Sequence, residues 1–137
     1  MATFTKINKF VLNLAQKVFN LGTDTLKVAL TTAAPTASTA NQLSDITEIS
    51  YTNLSSVTLT TSSSSQSSGT YKLVIADLVL TASGGSVAAF RYITIYSNTA
   101  TNKELIGYYD YGSSLTLNDT DTLTLDFDGT NGLLQIA

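Results

Sequence analysis

The chain has 137 residues, a net charge of −3, and 12% charged residues, which is about half the usual share for a globular domain. It contains no cysteine and no histidine, which excludes disulfides, histidine-based catalysis and the commonest metal ligand. The acidic balance argues against a nucleic-acid partner. A chain of this length can bury its own core, so we predict a single domain spanning 1–137 that needs no cofactor.

The first predicted element is an amphipathic helix over 5–21. Its apolar residues recur at helical spacing and are Ile7, Phe10, Val11, Leu14, Val18 and Leu21. Thr5 is a candidate N-cap and Gly22 a candidate helix stop. The stripe either closes one side of a sheet core or docks on a partner or a neighbouring subunit.

From residue 25 onward the apolar period changes to two, which indicates β-strands. Leu26, Val28 and Leu30 give a half-buried strand, whereas the serine-rich stretch 62–69 is predicted to be a mobile tip. The run 71–80 is nearly all apolar and is predicted to be one central strand covered on both faces.

Further strands are predicted over 87–96 and 105–111, with a hairpin turn at Asn118 and Asp119 and a last strand over 133–136. The spacing favours a mainly β fold, a jelly-roll-like antiparallel β-sandwich of about eight strands over 25–137.

Two alternating faces are predicted for the strand over 87–96. Val87, Ala89, Ile93 and Ile95 form one face, which Arg91 interrupts, and Phe90, Tyr92, Thr94 and Tyr96 form the other. The aromatic side chains of this strand, together with Tyr108, Tyr109 and Tyr111, are more than one small core is expected to bury. Either half of them lie in the core and half on ordinary surface, or they line an interface, where tyrosine is enriched.

Charge is segregated along the chain. Lys6, Lys9 and Lys17 have no acid among them, whereas after Lys103 every charged residue is acidic. These groups are either solvated surface charges or two complementary ends that meet a partner or another subunit. The most apolar window, 73–80, is too short to span a membrane. The N-terminal segment lacks the apolar core of a signal peptide, so we expect synthesis in a cytoplasm and no membrane partner.

Three patterns in the sequence are candidates for chemistry. The segment 126–132 superficially resembles a calcium loop, but its glycine and acidic positions do not match the ligand spacing. The serine run lacks a nearby base to activate a nucleophile. The carboxylates at Asp119, Asp121, Asp126 and Asp128 lie on predicted turns or on alternate strand positions, mostly away from the tyrosines, which does not favour the carboxylate pair of a glycosidase. We therefore predict no catalytic and no metal-binding residues, and a protein that is not an enzyme.

Seven segments together give the chain a family likeness. They are 10–17, 21–31, 68–77, 81–86, 90–92, 106–112 and 126–132. In combination they resemble small virion proteins of tailed bacteriophages, of the kind assigned as capsid decoration or cement proteins. The likeness covers almost the whole chain except a variable loop at 32–55, and no single segment is a functional signature.

The resemblance implies a structural β-sandwich protein on the exterior of the virion. It would bind the major capsid protein, cement neighbouring subunits, and form a homo-oligomer, either a dimer or a trimer. The alternative is a tail- or fibre-associated structural or receptor-binding protein. The residues predicted to contact partners are Lys6, Lys9, Lys17, Phe90, Tyr92, Tyr96 and Tyr108. The three lysines are expected to bind the capsid, because they form the one basic stretch of an acidic protein and would be attracted to an acidic surface.

Overall fold

The computed structural model describes residues 2–137 and is mainly β, with three antiparallel sheets. Its strands are β1 (Phe4–Lys6), β2 (Leu26–Thr31), β3 (Thr61–Ser67), β4 (Thr70–Ile75), β5 (Leu78–Thr81), β6 (Phe90–Ser97), β7 (Leu105–Leu115), β8 (Thr122–Leu125) and β9 (Leu134–Ile136). One short helix, α1 (Lys9–Ala15), follows β1, and a 3₁₀ turn covers Leu43–Asp45. No helix among residues 2–137 is long and apolar enough to cross a membrane.

The sheets have the orders β1-β7-β6-β2, β3-β4-β9 and β5-β8. Their apolar faces meet in one core, to which each sheet contributes fully buried side chains, such as Ile95 from β6, Leu73 from β4 and Leu80 from β5. Antiparallel sheets that share a core in this way are consistent with the predicted β-sandwich.

The predicted helix over 5–21 is wrong in extent. Residues 4–6 pair with β7, so Thr5 lies in a strand and does not cap a helix. The helix ends when Lys17 takes a left-handed conformation, with φ of 64°. Val18 and Leu21 still reach the core, but from irregular backbone, which explains why the apolar spacing extended the predicted helix.

The serine-rich stretch 62–69, predicted to be a mobile tip, is mostly a strand. Residues 61–67 form β3 and pair with the apolar strand β4, so backbone hydrogen bonds hold a segment that has little to bury. The turn is confined to Ser68 and Gly69, both at positive φ. The run 71–80 is likewise divided at Ala76 and Asp77 between β4 and β5, which belong to different sheets.

The hairpin predicted at Asn118 and Asp119 is a turn between strands that do not pair. Asn118 accepts from the amide of Asp121, but β8 then pairs with β5 rather than with β7. The turn residues were therefore identified correctly, while the partner strand was not.

Candidate functional site

The predicted basic segment lies on the surface around α1. Lys6 ends β1, Lys9 begins α1 and Lys17 follows it, and all three side chains are exposed. Two apolar side chains of the same helix, Val11 and Leu12, are 52% and 47% exposed. We call these five residues the α1 surface. A short helix that combines cations with uncovered apolar side chains is suited to contact an acidic, partly apolar surface.

The orientation of α1 explains this exposure. Its buried residues are Phe10 and Asn13, and Asn13 donates from Nδ2 to Oδ1 of Asn41 over 2.9 Å. The helix is thus rotated relative to the predicted stripe, so that an asparagine is buried and Val11 is not. A groove of about 500 Å³ separates α1 from β9, with Phe4, Leu14 and Ile136 among its lining residues.

Phe90 and Tyr96 were predicted partner contacts, and the structure corrects both. The register shifts between Phe90 and Tyr92, so a bulge breaks the predicted alternation and directs Phe90 into the main core with no exposure. Tyr96 is 5% exposed and packs in a second cluster with Ile7 and Leu105. Neither side chain is available to a partner in this structure.

Tyr92 and Tyr108 are half-buried and lie edge to face, with ring centroids 6.3 Å apart. Arg91 lies over the Tyr92 ring at 5.2 Å and makes a two-point contact with Asp110, with Nε–Oδ1 and Nη2–Oδ2 distances of 2.8 and 2.9 Å. The hydrogen bonds from Arg91 lower the pKa of Asp110. This rigid polar and aromatic surface on β6 and β7 keeps Tyr92 and Tyr108 as candidate contacts.

A second groove opens on the other side of Phe4. Its volume is about 310 Å³, and four aromatic residues contribute to its lining, namely Phe4, Tyr109, Tyr111 and Phe127. Tyr109 stands between two of the rings, with centroids 5.2 Å from Phe4 and 6.2 Å from Phe127. Asp126 and Asp128 also line this groove. We call it the aromatic groove.

Most carboxylates of the chain are engaged in structural hydrogen bonds. Nine of the ten acidic side chains accept at least one bond within residues 2–137. These nine are Asp24, Asp45, Glu48, Asp77, Glu104, Asp110, Asp119, Asp121 and Asp128. Asp126 is the remaining one, and its exposed carboxylate has no bond to the described part of the chain.

The hydrogen bonds also show how two of the three candidate patterns for chemistry are used in the fold. Asp128 accepts from the amides of Thr130 and Asn131 at 2.8 Å each, as a turn residue does. Ser64 shares a hydrogen bond with Tyr71, and its hydroxyl has no carboxylate or amine partner in these residues. Within residues 2–137, no group of three or more acidic side chains is arranged to hold a metal ion.

Comparison with protein-family models, with curated proteins and with solved structures found no match. Any role for the α1 surface or the aromatic groove must therefore be argued from the sequence and structure of this chain.

The sequence reasoning missed the aromatic groove. It selected Tyr108 rather than Tyr109 and Tyr111, and it did not single out Phe4 or Phe127 as contact residues. One signal was present, because Tyr109 and Tyr111 are two apart in β7 and so share a face. Their meeting with Phe4 and Phe127 depends on strand pairing that a pattern within one segment does not reveal.

Proposed function

We propose that this protein is a structural component of a bacteriophage virion that binds the outer surface of the capsid and cements neighbouring major capsid protein subunits. The observation that carries the proposal is the α1 surface, in which Lys6, Lys9 and Lys17 flank the exposed Val11 and Leu12. The family likeness of the sequence adds to it. We further propose that the three sheets form a jelly-roll-like sandwich.

The α1 surface suits repeated, individually weak contacts. Exposed lysines steer the protein toward an acidic surface and lose strength as salt screens them. Val11 and Leu12 add short-range apolar contact once the surfaces meet. Many copies on one shell, or several linked subunits, then raise the total affinity well above that of each contact.

The test uses purified capsids from which tails have been removed. We expect the wild-type protein to bind them at high copy number, and the triple variant Lys6→Glu, Lys9→Glu, Lys17→Glu to fold normally but not to bind. The single variants Lys9→Glu and Lys103→Glu form a matched pair, since both side chains are exposed and Lys103 lies outside the α1 surface. Only Lys9→Glu should weaken binding and flatten its salt dependence.

Two results would overturn this proposal, the first its docking surface and the second its location on the capsid. If the triple variant decorates capsids at wild-type occupancy with the same salt dependence, the α1 surface is not the anchor. If the protein is lost together with the tails and does not rebind to capsids, the protein belongs to the tail or a fibre.

We propose in addition that the protein is a dimer or a trimer. Further large apolar side chains are uncovered on other strands, with Val79 49% exposed on β5 and Ile136 39% exposed on β9. Uncovered apolar residues near strand edges are a frequent feature of subunit contacts. Light scattering should give two or three times the mass of one chain. A single-chain mass at high concentration, together with isolated copies on the particle, would contradict the proposal.

A further inference from the structure

We propose that the aromatic groove is a binding site for a cationic side chain, an arginine or a lysine, presented by a partner protein. This site is distinct from the α1 surface, which carries the opposite charge. It does not depend on the phage assignment, because it follows from the lining of the groove alone.

The rings provide the first part of the argument. Phe4, Tyr109 and Phe127 form a continuous row, and Tyr111, which is 46% exposed, lines the same groove. Aromatic faces carry partial negative charge and attract guanidinium and ammonium groups, while their apolar surface accepts the methylene stem of the same side chain. An arginine or lysine satisfies both properties at once.

The carboxylates provide the second part. Hydrogen bonds from Asn131 lower the pKa of Asp128, so its carboxylate is charged at neutral pH. Burial raises the pKa of the Tyr109 phenol, and the charge of Asp128 raises it further, which indicates a negative potential beside that ring. The nearby cation is Lys72, which acts on Asp128 and donates to the carbonyl oxygen of Thr130 over 2.6 Å.

Asp128 is thus engaged by its own turn, and Asp126 is the carboxylate of the groove that remains free to bind a cation. It is the one acidic side chain in residues 2–137 that accepts no hydrogen bond from them, and it lines the groove. A guanidinium between Asp126 and the face of Tyr111 would gain a charged hydrogen bond and an aromatic contact together.

The dimensions of the groove favour a side chain that belongs to a protein. A volume of about 310 Å³ is at the lower end for ligand sites and accommodates one long side chain. A single exposed ion pair and one cation–π contact give only weak affinity. The groove therefore adds specificity to a larger contact instead of holding a free metabolite by itself.

The experiment is an NMR titration of the full chain with Nα-acetyl-arginine N-methylamide, with the citrulline analogue as a neutral probe of nearly the same shape. We expect saturable shifts of the amides of Tyr109, Tyr111 and Phe127 with arginine in the millimolar range, and little change with citrulline. Equal shifts with both probes, or none with arginine, would overturn the proposal.

Two matched pairs of variants locate the site. Asp126→Asn should weaken arginine binding about fivefold, whereas Asp119→Asn should leave it unchanged. Asp119 lies outside the groove and accepts from the Gly84 amide, a bond that asparagine can also accept. Tyr111→Ala should weaken binding, and Tyr111→Phe should retain it because the ring face remains. Wild-type binding by Asp126→Asn would refute the site even if the variants of the α1 surface behave as proposed.

A second copy of the chain is the competing occupant. If the groove amides shift with protein concentration in the absence of probe, and the shifts disappear in the triple lysine variant, the groove holds the lysines of another copy. That result would overturn the assignment to a different partner.

Discussion

The phenol of Tyr51 joins two segments of the chain. It accepts from the amide of Leu30 over 3.0 Å and donates to Oε1 of Glu48 over 2.6 Å. The phenol thereby links β2 to the irregular segment around residue 48. Burial raises the pKa of Tyr51 well above its ordinary value, and the hydrogen bond to Glu48 raises it further.

This shift predicts a loss of stability in alkali. An unfolded tyrosine ionises near pH 10, whereas Tyr51 in the folded chain keeps its proton to higher pH. Below pH 10 both states are protonated and the contribution is fully present. Above pH 10 the unfolded state releases the proton first, so the free energy of unfolding falls as pH rises. Tyr96 and Tyr109, whose pKa values are also raised by burial, act in the same direction.

Tyr51→Phe tests this expectation by urea unfolding at pH 8 and pH 11. At pH 8 the variant should lose about 1–2 kcal/mol, because the Leu30 amide loses its acceptor. Its further decline toward pH 11 should be smaller than that of the wild type. Tyr111→Phe, which removes an exposed phenol, controls for the loss of one tyrosine. An identical alkaline decline in Tyr51→Phe and wild type would contradict the assignment.

Among the elements, β1 is held unusually close to β7. The two strands pair from Phe4 opposite Tyr109 to Lys6 opposite Gly107. A Cβ at Gly107 would lie 2.7 Å from the carbonyl oxygen of Thr5 and would overlap the ring of Phe4. Because Phe4 borders both grooves, the close approach permitted by Gly107 also shapes the two candidate surfaces.

Gly107→Ala should therefore destabilise the protein by about 1–3 kcal/mol, since the backbone of β1 must move to admit a methyl group. Gly129→Ala is the matched control, because no atom outside its neighbours lies within 4 Å of the added Cβ. That change should alter stability by less than about 0.5 kcal/mol. Urea unfolding midpoints of the two variants measure the difference, and equal midpoints would show that β1 adapts freely.

The elements also show how far the sequence predicts this fold. Although both faces of β2 are buried and the strand is not half-buried as predicted, because Ala29 packs in the second cluster, the strand itself follows from period two alone. The serine strand β3 does not, because its order comes from hydrogen bonds to β4 rather than from its own side chains. Likewise, Phe90 turns inward through a bulge that depends on its pairing with Leu115.

Of the two candidate surfaces, one could be predicted from the sequence and the other could not. The exposed lysines could be predicted from charge segregation along the chain. The aromatic groove could not, because its aromatic residues come from β1, β7 and the segment after β8, which only the tertiary pairing brings together. Partner contacts at Phe90 and Tyr96 were wrong because aromatic content does not reveal which rings the core absorbs.

For the whole molecule, the shared core determines how the chain unfolds. The smallest sheet, β5-β8, has only four paired positions, and an isolated two-stranded sheet is marginal in water. It persists because Leu80, fully buried, packs into the same cluster as Leu73 of β4 and Ile95 of β6. The three sheets therefore stabilise one another, and we expect none of them to melt alone.

Leu80→Ala tests this cooperativity. Since Leu80 lies in the common core, the variant should lose about 2–5 kcal/mol, and the loss should appear as one shift of the whole transition. Far-ultraviolet circular dichroism and tyrosine fluorescence should report the same lowered midpoint, although β5 and β8 contain no tyrosine. Val79→Ala, at the adjacent position of β5 but 49% exposed, should change the midpoint far less. Separate midpoints for the two probes would show that the β5-β8 sheet unfolds independently and that the core does not act as one unit.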